Sequence, residues 1–253
     1  MKKAFIITSA IDVEKNAPLN YSEVRSFFEA DERFRQTAST IANLDAGFPN
    51  DTVMFLVDLS DEYEKYRGIL SYQKNLIFVS VKEEFPEIYD IVRKHPNKSH
   101  CETLLLTKFF AKYRTRLQDV DYFFKVSGRY FFDGSFTEEL LTPDKLGKIF
   151  FKHPLEFDWQ DLWNYNRVDR RAIQKDNKLR QYCSVLYGFG KENYDRFLDL
   201  YRVLSFLTDH PSYSTFDVET LLYFFTRDFE KDIIEVDWKV YGFNGADGKF
   251  LRY

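Results

Sequence analysis

The sequence predicts an α/β fold, in which a mixed, mostly parallel β-sheet is flanked by helices. Three short apolar runs rich in β-forming residues, at positions 4–11, 52–60 and 75–81, alternate with segments of helical periodicity. Such alternation is typical of parallel sheets, because the chain must cross back over the sheet between neighbouring strands. The 253 residues contain no repeat, low-complexity tract or flexible linker, which favours a single domain spanning residues 1–253.

The remaining elements are predicted from the spacing of apolar residues. Apolar side chains three and four positions apart predict a helix over 22–44, which Gly47 and Pro49 bring to an end. A central strand over 121–132 is predicted to break at Ser127 and Gly128. The further expectations are helices over 62–70, 102–114, 193–207 and 216–229, strands over 148–152 and 181–189, and a hairpin over 232–243.

Composition and charge exclude several classes of function. The net charge of -4 provides no positive field of the kind that drives duplex nucleic-acid binding, so we expect no nucleic-acid partner. Cys101 and Cys183 lie far apart and outside any CxxC pattern, which predicts no disulfide framework and suits a reducing cytoplasm. The apolar stretch at the start of the chain is too short for a signal peptide or a spanning helix. We therefore expect a cytoplasmic protein without a transmembrane segment.

The carboxyl ends of the predicted strands are the first candidate site. Open α/β sheets bind ligands there, because loops converge and helix N-termini supply donors. This rule selects Ser9, Asp58 and the turn at 127–129. Asp58 is placed to accept hydrogen bonds from a ribose or a base, and Arg129 is placed to meet phosphate. The alternatives are a loop cap for Asp58 and, for Arg129, an ion pair that merely holds the loop.

Five sequence motifs carry a resemblance to a known family. In chain order they are RFRQTASTIANL, PNDTVMFLVDLS, NKSHCETLLLTKFF, KVSGRY and FDVETLLYFF. In this order and spacing they resemble a group of bacterial and viral glycosyltransferases of the GT-A type, which includes relatives of the WavE lipopolysaccharide-synthesis proteins. The resemblance covers residues 1–135 well and is looser beyond them.

The resemblance implies a single GT-A domain with a Rossmann-like sheet. Residues 1–135 would bind the nucleotide-sugar donor, and residues 136–253 would form the acceptor side. The implied activity is transfer of a hexosyl or deoxyhexosyl group to a polysaccharide, lipopolysaccharide or glycoprotein glycan, with inversion favoured over retention. The implied donor-binding positions are Ser9, Arg33, Gln36, Thr37, Asp58, Lys98, Lys125, Ser127, Gly128, Arg129 and Tyr130.

The resemblance also raises the question of a metal ion. GT-A enzymes usually hold the leaving diphosphate with a divalent ion, Mn or Mg, on a D-x-D motif. Here Asp119 and Asp121 form a DVD and are the candidate metal ligands. They precede the core of their strand, whereas Lys125 and Arg129 stand at its end. Direct neutralisation of the diphosphate by these two cations is therefore the alternative. The four histidines are not spaced as metal ligands.

Three carboxylates are candidates for the base that deprotonates the acceptor hydroxyl. Glu219 and Asp217 lie at the start of the helix predicted from 216, whose N-terminus is expected to face the cleft, and the resemblance favours Glu219. Asp133, just beyond the SGRYFF run, is the third candidate. As alternatives, first-turn acids commonly partner the helix dipole, and Asp133 would cap the turn at Gly134.

Two other functions stay open at the level of sequence. One is another nucleotide-dependent transferase, acting on sugar phosphates or nucleotidyl groups, which would need clustered metal-binding carboxylates. The other is a non-catalytic glycan- or protein-binding module without nucleotide affinity. The basic run at 166–180 is interpreted as a solvated loop or as a lid over the diphosphate. Lipid-linked acceptors are common for such enzymes and leave peripheral membrane contact open.

Overall fold

The protein is built around a seven-stranded sheet. It is seen in a computed structural model that describes residues 1–17, 19–20, 22, 25–158, 176, 178–213, 217–244 and 248–252. In chain order the strands are β1 (Lys3–Ser9), β2 (Thr52–Asp58), β3 (Leu76–Ser80), β4 (Tyr122–Ser127), β5 (Tyr130–Phe132), β6 (Ile149–Lys152), β7 (Leu155–Asp158), β8 (Lys178–Gln181), β9 (Leu186–Gly190), β10 (Ile233–Val236), β11 (Val240–Phe243) and β12 (Phe250–Arg252).

The order of strands in the large sheet is β10-β6-β9-β4-β1-β2-β3. Strand β1 pairs in parallel with β2 and β4, β2 pairs in parallel with β3, and β6 pairs in parallel with β10. Strand β9 runs antiparallel to both of its neighbours, β4 and β6. The predicted mixed, mostly parallel sheet is confirmed, and it draws strands from both 1–135 and 136–253.

The helices cover both faces of this sheet. They are α1 (Ala30–Gly47), α2 (Tyr63–Leu70), α3 (Val81–Glu84), α4 (Pro86–Lys94), α5 (Lys98–Tyr113), α6 (Tyr194–Asp209) and α7 (Val218–Thr226). Along β1, Ala4 and Ile6 belong to one buried cluster, whereas Phe5 and Ile7 belong to the other. Alternate residues of a strand point to opposite faces, so a strand covered on both sides is apolar throughout. None of the described helices is long and apolar enough to cross a membrane.

Helix α1 begins later than its sequence pattern indicates. The prediction of a helix from residue 22 was wrong, because the described residues 25–29 are not helical and the helix begins at Ala30. Phe27 and Phe28, which mimic helical spacing, instead make tertiary contacts. The ring of Phe28 lies 5.7 Å from that of Phe243, and a Cβ atom at Gly248 would meet the ring of Phe27 at 2.5 Å. Packing against the C-terminal strands therefore overrides the local helical pattern.

The predicted hairpin over 232–243 was also wrong. Strand β10 joins the large sheet in parallel beside β6, and β11 lies between β5 and β12 in a separate three-stranded sheet. Trp238, in the connection, is 1% exposed, and its ring lies 4.5 Å from that of Phe136. Burial of this large ring between the sheets explains why the two strands do not fold back on each other.

The segment predicted as one strand over 181–189 is divided. Strand β8 ends at Gln181, and β9 begins at Leu186. The intervening turn carries Ser184, whose carbonyl oxygen and hydroxyl both enter the candidate site described below. The interruption leaves the carbonyl oxygen of Ser184 available to this site, since a continuous strand would commit it to sheet pairing.

Candidate active site

The carboxyl ends of the parallel strands bring several predicted residues together. The register pairs Ser9 with Asp58 and Thr8 with Ser127, so these four residues line one edge of the sheet. Ser9 and Ser127 are partly exposed, whereas Asp58 is completely buried. These residues selected from the sequence therefore lie together at one edge of the sheet, which is the candidate site.

Asp58 supports the site from below. Its carboxylate accepts hydrogen bonds from the backbone amides of Ile11 (3.2 Å) and Ser60 (2.9 Å). Burial raises the pKa of Asp58, and the hydrogen bonds from Ser60 and Ile11 oppose that rise. A side chain with no exposed surface does not contact a ribose or a base directly, which corrects the prediction. Asp58 instead fixes the loop that follows β1.

The turn after β4 is packed tightly against β1 and α1. The amide of Gly128 donates to the carbonyl of Thr8 (3.0 Å), and the hydroxyl of Thr37 donates to the carbonyl of Gly128 (2.8 Å). A Cβ atom at position 128 would lie 3.3 Å from Ser9, Thr37 and Thr8 alike. Only glycine allows this close approach without displacement of neighbours. The amide of Tyr130, next along, donates to Thr40 (3.2 Å) and continues the anchoring.

Lys98 and Arg129 present positive charge at this edge, with Arg33 beneath them. Lys98 and Arg129 are partly exposed to solvent, whereas Arg33 is buried. Burial and the charges of Arg129, Arg33 and Arg25 lower the pKa of Lys98 to about 7. Burial and Arg129 likewise lower the pKa of Arg33 to about 9. A cluster in which neighbouring positive charges lower the pKa of Lys98 and of Arg33 is a place where an anion is strongly favoured.

The hydrogen bonds within this basic cluster orient it. The ammonium of Lys98 donates to the carbonyl of Arg25 (2.8 Å), and Arg25 donates in turn to the carbonyl of His95 (3.1 Å). Arg33 donates to the carbonyl of Ala10 and to the hydroxyl of Ser26 (2.9 Å). Within the described part of the chain, no hydrogen bond or ion pair holds the guanidinium of Arg129. Arg129 is thus the cation best able to turn towards a ligand.

Gln36 and Thr37 belong to the face of α1 that covers the site. Both are buried, at 3% and 1% exposure. The amide nitrogen of Gln36 donates to Glu32 (3.2 Å), whereas its buried side-chain oxygen has no hydrogen-bond partner among the described residues. The two residues are brought to the site as predicted, but as buried supports.

Lys125 is the centre of a buried polar network. Its ammonium, 1% exposed, donates to the hydroxyl of Ser127 (2.9 Å) and to the carbonyl of Ser184 (2.6 Å), and it forms an ion pair with Glu102. The hydroxyl of Thr8 also donates to Glu102 (3.2 Å). Direct contact of Lys125 with a diphosphate, predicted from its place in the sequence, is not available to a fully buried ammonium. Lys125 instead joins β4, α5 and the Ser184 turn.

Glu219 lies at the other end of this network. It is partly exposed in the first turn of α7 and accepts a hydrogen bond from the hydroxyl of Ser184. Burial and the neighbouring carboxylate of Asp217 raise the pKa of Glu219 to about 7. A carboxylate with a pKa near neutrality is suited to proton transfer at physiological pH. Of the three predicted bases, Glu219 has the most favourable environment.

Asp217 caps α7. One of its oxygens accepts from the amide of Thr220 (2.7 Å) and the other from the side chain of Gln181 (2.7 Å). The amide of Val218 donates to the hydroxyl of Ser99 (3.0 Å), which joins the start of α7 to the start of α5, beside Lys98. Asp217 therefore positions Glu219 and, through its charge, raises the pKa of that neighbour.

Asp133 and the DVD aspartates are not brought to this edge. Asp133 accepts from the amide of Ser135 (2.8 Å) and from the hydroxyl of Tyr241 (3.3 Å), which is the turn cap weighed as its alternative. Asp121 precedes β4, at the opposite end of that strand from Ser127, and its oxygens accept from the amide of Lys2 (2.9 Å) and from Lys191 (3.0 Å). Asp119 lies two residues earlier, so the DVD motif comes just before the first residue of β4.

The residues at the edge of the sheet that carries Ser9, Asp58 and Ser127 do not form a binding site for a divalent ion that would hold the donor diphosphate. The turn 127–129 carries a cation where a D-x-D motif would carry carboxylates. Among the described residues, the group of three or more ligand atoms close enough to hold a metal is His95, His100 and Asp209, and the DVD aspartates do not belong to it. Asp119 and Asp121 therefore gain no support as metal ligands.

Sequence reasoning did not assign roles to Glu102, Ser184 or Arg25. Glu102 belongs to the NKSHCE motif. It follows Ser99 by three residues, a spacing that puts the two side chains on the same, inner face of α5. Ser184 carries no sequence signal, because its role depends on the turn that divides 181–189.

The basic run at 166–180 lies mostly outside the described residues, and within the described part Arg180 pairs with Glu156 and Asp176.

Comparison with known proteins identifies the fold. No family model matches the sequence, and no curated protein matches it either. Core-mannan synthase A from Aspergillus fumigatus, solved in a Mn/GDP form, superposes with a TM-score of 0.51 at 12% identity, over 95% of this chain and 74% of that one. Mouse xyloside xylosyltransferase 1, in an apo form, superposes with a TM-score of 0.54 at 11% identity, over 94% of this chain and 86% of that one. The chain has the α/β fold of GT-A glycosyltransferases.

Proposed function

We propose that this protein is a nucleotide-sugar-dependent glycosyltransferase that transfers a sugar to a glycan acceptor. The observation that carries the proposal is one continuous arrangement at the ligand edge. Arg129 of the basic cluster shares a turn with Ser127, to which Lys125 donates, and Lys125 is connected to Glu219 through Ser184. An anion site beside a carboxylate of near-neutral pKa is what displacement of a nucleoside diphosphate requires.

The exposed cations are assigned to the diphosphate. Lys98 and Arg129 contact it directly, and Arg33, buried beneath, adds charge without contact. Ser9 and Ser127, partly exposed on neighbouring strands, are placed to donate hydroxyl hydrogen bonds to the donor. This set neutralises the leaving group by fixed cations, in place of the divalent ion on which a D-x-D motif depends. Gln36, Thr37, Asp58, Lys125, Gly128 and Tyr130 hold these groups in place.

Glu219 is assigned as the base of an inverting displacement. The oxygen of an acceptor hydroxyl forms a bond to the anomeric carbon while the bond from that carbon to the diphosphate oxygen breaks. The electron pair of the broken bond leaves with the nucleoside diphosphate, and Glu219 takes the hydroxyl proton. Its pKa of about 7 keeps a substantial share of the side chain in the basic form at neutral pH.

The wider assignment follows the same site. Residues 1–135 supply the donor-binding groups, and residues 136–253 supply Ser184, Asp217 and Glu219 on the acceptor side. A polysaccharide, lipopolysaccharide or glycoprotein glycan is the proposed acceptor class, a hexose or deoxyhexose is the proposed sugar, and the cytoplasm is the proposed location.

A thermal-shift panel tests the proposal. The purified protein is screened with UDP, GDP, CMP, dTDP and their sugar conjugates, each with and without Mn, because a ligand that binds the native state raises the melting temperature. We expect one nucleotide to give a selective shift that needs no Mn and that is lost in Arg129→Ala. Arg35→Ala is the matched control, since Arg35 lies on the outer surface of α1 and pairs with Glu32. No shift with any nucleotide would favour a non-catalytic binding module.

A further inference from the structure

Three helix ends meet at a cluster of two histidines and an aspartate. His95 directly follows α4, His100 lies in the first turn of α5, and Asp209 is the last residue of α6. One ligand atom from each side chain lies within 4.8 Å of the other two. His95 Nε2 and an Asp209 oxygen are 3.3 Å apart, and the two imidazole rings are 4.4 Å apart at their centres. These residues are distant in sequence, so only the fold brings them together.

The chemistry of His100 suits it to metal binding. It is 6% exposed, and its Nδ1 lies 3.0 Å from the carbonyl oxygen of Ser205. A carbonyl accepts only, so Nδ1 carries the proton and Nε2 presents its lone pair. A histidine whose second nitrogen donates to a backbone carbonyl is the usual arrangement in metal sites.

His95 and Asp209 complete a donor set of two nitrogens and one oxygen. His95 Nδ1 faces both the amide nitrogen (3.2 Å) and the carbonyl oxygen (3.3 Å) of Asn97. Ion binding at Nε2 requires the tautomer in which Nδ1 donates to that carbonyl, so the ion would select this tautomer over the one that accepts from the amide. His95 is partly exposed and Asp209 exposed, so an ion can enter from solvent. Mixed imidazole and carboxylate donors select zinc-like ions over Mg²⁺ and Ca²⁺, which prefer oxygen donors throughout.

We propose that His95, His100 and Asp209 bind a divalent transition-metal ion of the zinc class, with a solvent molecule in the fourth position. The ion joins the end of α4, the start of α5 and the end of α6. Asn97 already donates to the carbonyl of Thr208 (3.0 Å), so the ion strengthens an existing junction. This site is separate from the proposed sugar transfer and does not depend on it, although the junction adjoins Lys98.

Calorimetric titration of the metal-stripped full-length protein with Zn²⁺ tests the site, with Co²⁺ absorption as a second measurement. We expect one ion per chain, unaffected by excess Mg²⁺, and a Co²⁺ spectrum without a thiolate band, because Cys101 donates its proton to the carbonyl of Asn97. Loss of one ligand should weaken binding by about 100-fold or more, since even removal of an outer-shell partner costs 10- to 100-fold.

Three ligand variants and one control variant make the outcome decisive. His95→Ala and Asp209→Asn change partly or fully exposed residues and should fold, so the test survives if His100→Ala does not. His153→Ala is the control, because His153 is exposed and pairs with Glu235 far along the chain. Zn²⁺ should raise the melting temperature of the wild type and of His153→Ala only. Equal Zn²⁺ affinity in the wild type and in His95→Ala, or no stoichiometric binding at all, would overturn the proposal.

Discussion

If Lys98 contacts the donor diphosphate as proposed, its pKa should make donor binding sensitive to pH. Burial and the charges of Arg129, Arg33 and Arg25 lower this pKa from 10.5 to about 7. A bound diphosphate favours the ammonium, so binding above pH 7 must take up a proton. Where the free amine dominates, affinity should fall about tenfold per pH unit, which is ~1.4 kcal/mol. At pH 8 the uptake should approach ~0.9 proton per bound nucleotide, and at pH 6 only ~0.1.

Calorimetry in two buffers of different ionisation enthalpy measures this uptake directly, with the nucleoside diphosphate that the thermal-shift panel selects. Lys98→Arg is the informative variant, because a guanidinium keeps its charge throughout the range. It should bind with little proton uptake at pH 8 and with a flat pH dependence from pH 6 to pH 8, below the pKa of about 9 of the buried Arg33. Absence of uptake in the wild type, or an unchanged pH dependence in Lys98→Arg, would refute the assignment of Lys98 to the diphosphate.

Three further predictions concern the same edge. Arg129→Ala should weaken nucleoside diphosphate binding by about 1.5–3 kcal/mol, as expected for a hydrogen bond to a charged group, while Arg35→Ala leaves it unchanged by calorimetry. Glu219→Gln should abolish turnover but preserve donor affinity; in the wild type, kcat should rise with pH through about 7, because only the deprotonated side chain is a base. Gly128→Ala should reduce the free energy of donor binding by more than it reduces the free energy of unfolding, since its Cβ would lie 3.3 Å from Ser9 and Thr37. A donor affinity equal to that of the wild type would show that the turn tolerates the displacement.

The same pKa of Lys98 also affects folding stability. The unfolded chain holds this proton up to about 10.5, whereas the folded protein releases it at about 7. Between these values the unfolded state binds more protons, so the Lys98 contribution to the free energy of unfolding rises with pH. Urea titrations from pH 6 to pH 9 should show that the free energy of unfolding of the wild type, measured relative to Lys98→Met, rises with pH.

The sequence was most informative where local pattern and fold agree. The apolar runs around Phe5, Phe55 and Phe124 became the buried strands β1, β2 and β4, because residues of both faces must be apolar when helices cover both sides. The rule that ligands bind at the carboxyl ends of such strands then located Ser9 and Ser127. This part of the site follows from topology alone, and no knowledge of side-chain contacts was needed.

What could not be predicted depends on contacts between distant segments. Whether Asp58 and Lys125 touch a ligand or support it depends on Ile11, Glu102 and Ser184, which lie on other elements. No local pattern encodes their burial. The His95–Asp209 pairing is likewise invisible in sequence, because spacing rules detect ligands on one helix and not ligands gathered from three helix ends.

We propose that fixed cations hold the donor diphosphate at this edge of the sheet. The affinity of the selected nucleoside diphosphate for the wild type and for Arg129→Ala tests this directly, measured by calorimetry without added metal and again with Mn. We expect binding to the wild type that Mn leaves unchanged, and a loss of roughly 10- to 150-fold in the variant. Binding that requires Mn, or equal affinity in the two proteins, would contradict it.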